Sequence, residues 1–399
     1  MNRFPRKLLL IITLSVVLIA IGHSIVIQRK PDGLSPWTRL TPDALQYISM
    51  ASGSMSSPPF SYRVLVPYLA SLLPMPPDLA LRLITYLCLG TLYFSSLFSL
   101  TRLGFAFPIK LASILCLFAS TGHLYMYSNP YLTDAFGLMS LSIMLYALFV
   151  GNSTLFAITT GIGVLARETT LFLVPAFLIT KQWRTFIVIV FISFAAFITP
   201  RLLIIDDGSH QSFVFPSNLT YFVQIYLTFG VLWIPMFLGL AMCNRNAFPA
   251  ISTSFACLLL GALLTSTLAT DTIRMFAIML PIGALCWAYY FEGLWHRCRG
   301  LALILLIFVL TGIPLALPTS FLPKIANEII SWEDFYFRLK YPVAIFHAIG
   351  FTLAIASAFI LKQELAAGTH EKLDLLWSSL CIKSTKKLRL GKRLSNKRP

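Results

Sequence analysis

Two short polar segments that follow the first hydrophobic stretch of this chain contain the residues best suited to chemistry. The first segment, TPDALQYISMA, carries Asp43 and Tyr47, and the second, YRVLVPYLASLLP, carries Arg63. A carboxylate within hydrogen-bond reach of a hydroxyl group can accept its proton as a general base. A guanidinium group binds phosphate or carboxylate oxygens through paired N–H donors. These residues therefore predict a site that binds an anionic group and keeps a carboxylate for proton transfer.

Further ionisable residues occur at the predicted outer ends of later apolar segments. They are Asp134, Arg167, Glu168, Asp271 and Arg274. Ionisable groups at membrane depth are costly, and they mostly face a cavity or a charged partner. We therefore expect these residues to converge with Asp43, Tyr47 and Arg63 at one membrane face.

Simpler roles are open for several of these residues. Asp43 follows Thr41 and Pro42 and is suited to a helix start, and Asp134 is suited to the positive end of a helix dipole. Arg63 can anchor an interfacial helix to lipid phosphates. The adjacent pair at 167 and 168 can neutralise itself, and the pair at 271 and 274 has the spacing of an ordinary helical ion pair.

The composition places these residues in a polytopic membrane protein. Of the 399 residues, 57% are hydrophobic and only 12% are charged, which excludes an ordinary soluble domain. In the predicted topology the whole net charge of +16 lies on the cytoplasmic side. This agrees with the rule that the lysines and arginines of short loops lie on that side. We therefore assign the basic excess to topology and anionic lipid headgroups, and we expect no nucleic-acid partner.

A membrane-spanning helix needs about 20 mostly apolar residues. Division of the sequence by this length predicts an all-α fold with about twelve membrane segments. Ten clear spans are predicted at residues 8–27, 79–101, 108–123, 133–150, 185–204, 219–241, 248–267, 274–292, 300–318 and 342–361. Residues 154–180 are too long for one span and too short for two, so we predict a re-entrant hairpin with Arg167 and Glu168 at its tip. A single crossing there would place the lysine- and arginine-rich tail outside, against the orientation rule. Both termini are then cytoplasmic.

The predicted organisation has three parts. Residues 1–204 form a first transmembrane module whose first external loop, 28–78, contains amphipathic interfacial helices. Residues 205–361 form a second, variable transmembrane module, and residues 362–399 form a basic cytoplasmic tail. We expect an integral protein of a prokaryotic cytoplasmic membrane.

Several motifs in this order resemble the GT-C superfamily of polytopic glycosyltransferases, which includes protein O-mannosyltransferases and the lipid A aminoarabinose transferase. The motifs are PDALQYISMA, YRVLVPYLA, NPYLTDAFGL, GVLARETTLFLVPAFL and DTIRMFAIMLP, which reach from about residue 40 to 285. The resemblance implies a GT-C-like fold and transfer of a sugar from a polyprenyl-phosphate donor on the non-cytoplasmic face. The acceptor is a glycan, a lipid or a protein. The chain departs from some relatives in carrying a single acid, Asp43, where they carry two adjacent acids.

The resemblance also implies a role for each candidate residue. Asp43 becomes the general base, and Asp134 a second catalytic acid that orients the acceptor or helps to hold a divalent cation. Substrate binding is expected of Tyr47, Arg63, Arg167, Glu168, Asp271 and Arg274, with the three arginines receiving the leaving phosphate. Members of the class differ in their use of metal. No metal-ligand spacing occurs in the chain, so we predict no defined metal site.

Two other classes of function compete with this interpretation. A transporter or flippase of a lipid-linked or anionic substrate also suits twelve segments with both termini inside, but such proteins usually show related halves and broken helices. A non-catalytic scaffold of the cell envelope is the third reading. It predicts that the external acids can be replaced without loss of function.

Overall fold

A computed structural model of the chain describes residues 13–22, 42–204 (without 55 and 57), 225–243 (without 227), 247–266, 272–311, 332–362 and 366. Within these ranges every regular element is helical, which confirms the predicted all-α class. The α-helices in chain order are α1 (Thr13–Gly22), α2 (Pro42–Ala51), α3 (Leu65–Ser71), α4 (Pro77–Arg102), α5 (Phe107–Ala119), α6 (Thr121–Ser128), α7 (Asp134–Val150), α8 (Ser153–Ala166), α9 (Trp183–Leu203), α10 (Trp233–Met242), α11 (Phe248–Ser266), α12 (Thr272–Phe276), α13 (Leu280–Arg297), α14 (Arg299–Thr311) and α15 (Trp332–Ile360). Short 3-10 turns cover Phe60–Tyr62, Gly230–Leu232 and Ala277–Met279, and a longer 3-10 helix covers Glu168–Thr180.

Several of these helices have the length and apolar character of membrane spans. Among the described residues, four qualify: α4, α9, α11 and the continuous helical stretch Arg274–Arg297. The bent pair α5 and α6 would make a fifth, and other apolar helices are shorter. A polytopic membrane chain is therefore supported, whereas the count of twelve segments stays a prediction.

The predicted span at 108–123 is bent in the structure. Helix α5 ends at Ala119, Ser120 is extended, and α6 leaves at an angle of 65°. The Ser120 hydroxyl donates to the Leu117 carbonyl oxygen at 2.8 Å. A serine side chain that bonds to a nearby carbonyl offers the backbone an alternative to the helical ladder, which accounts for a break at this position.

The chain folds back on itself at 154–180 as the predicted hairpin requires, whereas the re-entry of this hairpin into a membrane stays a prediction. Arg167 has extended backbone angles, with φ −158° and ψ 121°, and so separates α8 from the 3-10 helix that follows. The rings of Phe156 and Phe177 lie 5.0 Å apart. Along one continuous helix these residues would be about 30 Å apart. The two arms therefore run side by side in opposite directions, with Arg167 and Glu168 at the tip.

Two sets of contacts show which helix ends lie together. The Thr85 hydroxyl donates to the Pro130 carbonyl at 2.7 Å, and the rings of Phe98 and Tyr146 are 6.1 Å apart. From the first contact to the second, the residue numbers rise along both chain segments. Helices α4 and α7 are therefore parallel, and their N-terminal ends lie at one end of the bundle.

Helix α13 belongs to the predicted second module, yet it packs into the core of the first. The Phe105 and Tyr289 rings are 4.7 Å apart, and the Ser113 hydroxyl donates to the Ala284 carbonyl. Helices α5 and α13 therefore run antiparallel, which places the start of α13 at the same end of the bundle as the starts of α4 and α7. We call this the site end.

The opposite end of the bundle is basic. It contains the connections at 103–106, 151–152, 181–182 and 298. The basic residues within or beside these connections are Arg102, Lys110, Lys181, Arg184, Arg297 and Arg299. No acidic residue lies in these four connections or within one helical turn of them. We call this the basic end.

Close packing of α10 on α13 depends on Gly239. A Cβ atom at this position would lie 1.8 Å from the carbonyl oxygen of Cys286. We expect Gly239→Ala to force the two helices apart and to cost about 1–3 kcal/mol of stability, as overpacked cores do. Thermal unfolding of the detergent-solubilised protein measures this as a lower melting temperature. Gly300→Ala is the control, since nothing lies within 4 Å of a Cβ there; an equal effect of both changes would contradict the proposed packing.

Candidate functional site

The centre of the ionic cluster is the carboxylate of Asp134, the first residue of α7. Its side chain is only 3% exposed. Arg167 Nη1 lies 2.6 Å from Oδ1, and Arg274 donates to both oxygens, with Nη2 2.9 Å from Oδ2 and Nε 3.4 Å from Oδ1. One buried carboxylate therefore joins the hairpin tip to α12. Burial without these partners would be strongly unfavourable.

Asp43 lies at the exposed edge of this cluster. Its Oδ2 accepts a hydrogen bond of 2.6 Å from Nη1 of Arg274, and the Asp43 side chain is 31% exposed. On the same helix, Ala44 and Tyr47 are fully buried, whereas Leu45 is half exposed. Helix α2 therefore lies with one face on the bundle, as an interfacial amphipathic helix should, and it presents Asp43 at the boundary.

Arg63 binds two predicted site residues at once. Its Nε and Nη2 atoms each donate to a different oxygen of Glu168 at 3.0 Å, and Nη1 donates to the Tyr47 hydroxyl at 2.9 Å. This bidentate geometry is the strong form of an arginine–carboxylate pair. Burial by itself lowers the pKa of Arg63, but the Tyr47 hydroxyl and the Glu168 carboxylate together raise it above its usual value.

The local sequence explains why the two hairpin-tip residues reach these partners. The extended backbone at Arg167 turns its side chain toward Asp134 of α7, while the Glu168 carboxylate points toward Arg63. Gly137, one turn after Asp134, leaves room for the Arg167 stem, because a Cβ atom there would lie 3.2 Å from Arg167 Cδ. Adjacent residues of the hairpin tip therefore have different partners: the Arg167 guanidinium contacts α7, and the Glu168 carboxylate pairs with Arg63.

The structure brings together seven of the eight residues predicted for the site, and Asp271 lies outside the described residues. We call these seven the ionic network. Its members are Asp43, Tyr47, Arg63, Asp134, Arg167, Glu168 and Arg274. The seven side chains thus come together as predicted, whereas their placement at one membrane face and their catalytic and binding roles stay predictions. For Asp134 the geometry favours holding Arg167 and Arg274 in place over meeting an acceptor, because its carboxylate is buried and bound on both oxygens.

One residue near the network was missed from the sequence. Arg201, in the last turn of α9, has its guanidinium carbon 4.5 Å from the ring centre of Tyr62 and 3.7 Å from that of Phe197. Tyr62 immediately precedes Arg63. The available signal was a lone arginine at the outer end of an apolar span, the criterion that selected Arg274 as well.

A narrow gap in the packing lies beside the buried part of the network, and it has no room for a water molecule. Asp134, Arg167, Thr169, Arg274 and Met126 contribute to its wall. Arg167 Nε and Thr169 Oγ1 are buried and have no hydrogen-bond partner among the described residues. Two buried donors beside the network are thus without a partner in the described part of the chain. The gap itself is no ligand pocket, because pockets that enclose whole ligands have volumes of about 300–1,000 Å³.

Comparison of the chain with protein-family models, with curated proteins and with solved structures finds no match. The resemblance to the GT-C superfamily therefore stays a prediction from the sequence motifs. In the described part of the chain, no three His, Cys, Asp or Glu side chains come together as a metal site would require.

Loss of the Asp134 charge is expected to destabilise the whole network. Asp134→Asn leaves the buried Arg167 guanidinium without the carboxylate that contacts it, and removal of one partner from a buried pair costs about 3–5 kcal/mol. We expect a lower melting temperature, measured by the reaction of newly exposed cysteines with a fluorogenic maleimide. The matched control is Asp78→Asn, which breaks a 3.6 Å pair with Arg82 whose aspartate is 45% exposed. Surface pairs contribute at most about 1 kcal/mol, so equal losses in the two variants would argue against a central role for Asp134.

Proposed function

We propose that this chain is a GT-C-like membrane glycosyltransferase that moves a sugar from a polyprenyl-phosphate donor to an acceptor hydroxyl at the non-cytoplasmic face. The observation that carries the proposal is the position of Asp43. It is a partly exposed carboxylate at the edge of a buried network of arginines. An arrangement with a carboxylate beside fixed positive charge suits proton removal from a nucleophile next to a departing anion.

In the proposed reaction Asp43 accepts the proton of the acceptor hydroxyl. The acceptor oxygen forms a bond to the anomeric carbon of the sugar, and the bond between that carbon and the phosphate oxygen breaks. The lipid phosphate leaves with the bonding electron pair, and the anomeric configuration inverts. Arg274 binds Oδ2 of Asp43, which orients the carboxylate and leaves Oδ1 for the acceptor hydroxyl.

The arginines of the network supply the positive charge that the leaving phosphate requires. Donors held in place before the reaction cost no reorganisation when charge develops. Arg274 is closest to Asp43, and the buried Arg167 Nε and Thr169 Oγ1 have no hydrogen-bond partner among the described residues. Because the buried side of the network has no room for a sugar phosphate, the sugar binds on the exposed side of Asp43. These arginines can take the electrostatic role that a divalent cation has in some members of the class.

The charge distribution supports the proposed orientation and localisation. Short basic connections without acids, like those at the basic end, are typical of the cytoplasmic side. The site end then faces the opposite side, where a lipid-linked donor and a glycan, lipid or protein acceptor meet. With about twelve segments and both termini inside, the protein belongs to a prokaryotic cytoplasmic membrane in this proposal.

A second candidate function is transport or flipping of a lipid-linked or anionic substrate. One observation favours it, since the break between α5 and α6 resembles the discontinuous helices of transporters. Just after the break, the buried His123 Nε2 lies 2.9 Å from the Tyr93 hydroxyl, which lies 3.0 Å from that of Tyr127. The ionic network, by contrast, lies at one end of the bundle, which suits chemistry at an interface better than passage through the centre.

The glycosyltransferase proposal predicts that Asp43→Asn abolishes sugar transfer. Removal of a general base lowers rates by about 10²–10⁴-fold. Membranes are incubated with labelled polyprenyl-phosphate sugars, and transfer is compared at matched protein level and melting temperature. Asp78→Asn serves as the charge-matched control, because Asp78 lies at the same end of the bundle without joining the network. Unchanged transfer in Asp43→Asn would falsify its role as base, and movement of intact donor across the membrane without transfer would favour the transporter.

The proposed orientation predicts opposite labelling of two introduced cysteines. Leu45→Cys, beside Asp43 on the exposed face of α2, should react with a membrane-impermeant maleimide in intact cells. Arg184→Cys, at the exposed basic end, should react only after the membrane is opened. Labelling of the unmodified chain provides the background. The reverse pattern would place Asp43 in the cytosol and remove the proposed enzyme.

A further inference from the structure

The ionic network is balanced in charge before any substrate binds. It contains three carboxylates, those of Asp43, Asp134 and Glu168. It also contains three guanidinium groups, each within hydrogen-bond or ion-pair distance of at least one of these carboxylates. A lipid phosphate that approaches such a network meets no excess positive charge. A further cation near the network would attract the phosphate before the network rearranges.

Arg201 is placed to be that cation. Its guanidinium carbon lies 4.5 Å from the ring centre of Tyr62, the residue before Arg63, so Arg201 lies close to the network, yet no described carboxylate is within ion-pair distance of it. Nη1 donates to the Phe197 carbonyl at 2.7 Å, and no other hydrogen bond to the described residues forms from this side chain. Within the described part of the chain, nothing else occupies the remaining N–H groups of the guanidinium, and these can meet an incoming anion; Asp206 and Asp207 lie outside the described residues.

The surroundings of Arg201 face the lipid. Helix α9 is a candidate span with little of its surface buried against the protein, and Phe194, Leu202 and Leu203 are 62%, 78% and 76% exposed. The Tyr62 and Phe197 rings hold the guanidinium plane between this exposed helix and Arg63. A phosphate attached to a membrane lipid would therefore reach Arg201 from the bilayer before it reached Arg63.

We propose that Arg201, with Tyr62 and Phe197, forms an outer docking site for the phosphate of a polyprenyl-phosphate lipid. This inference rests on the proposed function and adds a step to it. The phosphate is first held at the lipid-facing edge by Arg201 and then passes to the arginines beside Asp43. Arginine suits this position because its planar fork stacks on aromatic rings and still donates two hydrogen bonds to one phosphate.

A simpler explanation of Arg201 is an anchor that reaches the general headgroup region, as arginines near helix ends often do. The two explanations differ in selectivity. An anchor binds any anionic headgroup, and free phosphate, with similar low affinity. A docking site beside the network prefers a prenyl phosphate, whose small headgroup and isoprenoid tail fit the polar edge and the lipid-facing helix together.

The test measures binding of polyprenyl phosphate to the full chain in nanodiscs of zwitterionic lipid. Wild type is compared with Arg201→Ala and with Arg184→Ala, which removes an exposed arginine at the other end of the same helix. Inorganic phosphate and phosphatidylglycerol are tested as competitors. We expect Arg201→Ala to raise the Kd for polyprenyl phosphate about tenfold or more, equivalent to about 1.4 kcal/mol. Arg184→Ala should leave the Kd unchanged, and neither competitor should match polyprenyl phosphate.

The outcomes separate the docking site from the proposed function. If Arg201→Ala binds polyprenyl phosphate as tightly as the wild type does, the docking site is overturned. The glycosyltransferase proposal then stays in place, because the wild type still binds the lipid. Equal competition by inorganic phosphate or by phosphatidylglycerol overturns the selectivity for a prenyl phosphate. Absence of binding in the wild type overturns both proposals. If Arg201→Ala lowers the melting temperature, Arg201→Gln is measured instead. The same loss of affinity in Arg201→Gln at a normal melting temperature supports the docking site. Unchanged affinity in that variant overturns it.

Discussion

The burial of one negative charge, on Asp134, is the constraint on which the site end of this bundle depends. A carboxylate that is almost wholly withdrawn from solvent is tolerated only when its oxygens are bound by positive donors. Here Arg167 and Arg274 supply them from the hairpin tip and from α12. Two consecutive elements, α7 and the hairpin, are thereby joined to α12, whose Arg274 lies 140 residues after Asp134.

The position of Asp43 follows from this arrangement. Arg274 has enough donors to bind Asp134 with two nitrogens and Asp43 with the third. Arg63 similarly joins Tyr47 of α2 to Glu168 of the hairpin. Buried ion pairs add little net stability compared with apolar packing, but they select one geometry. The network therefore holds the interfacial helix α2 against the bundle and presents the Asp43 carboxylate at its surface.

The helical class and the candidate residues could be predicted because membrane insertion leaves strong local signals. Long apolar runs, the side preference of lysine and arginine, and isolated charges in apolar surroundings are all visible in the chain. The hairpin at 154–180 was predicted from the length of the segment and from the number of crossings that keeps the basic tail inside. The two arms lie side by side in the structure, as a hairpin requires. The bend at Ser120 was missed, because a single serine in an apolar run normally continues a helix. Arg201 was missed although it has the same signal, an arginine at the end of an apolar span, because the prediction started from the motifs around the other charged residues.

The amino-acid sequence alone determined that this is a helical membrane chain, and it identified the acids and arginines that gather at one end. Hydrophobicity and charge act residue by residue against the bilayer, so their effect can be read locally. Only the tertiary structure decided the pairing: Asp134 is enclosed by two arginines, Asp43 stays partly exposed, and Arg201 lies against the ring of Tyr62 beside the network. Distances between side chains on different helices depend on how those helices pack, and no local pattern in the sequence specifies them.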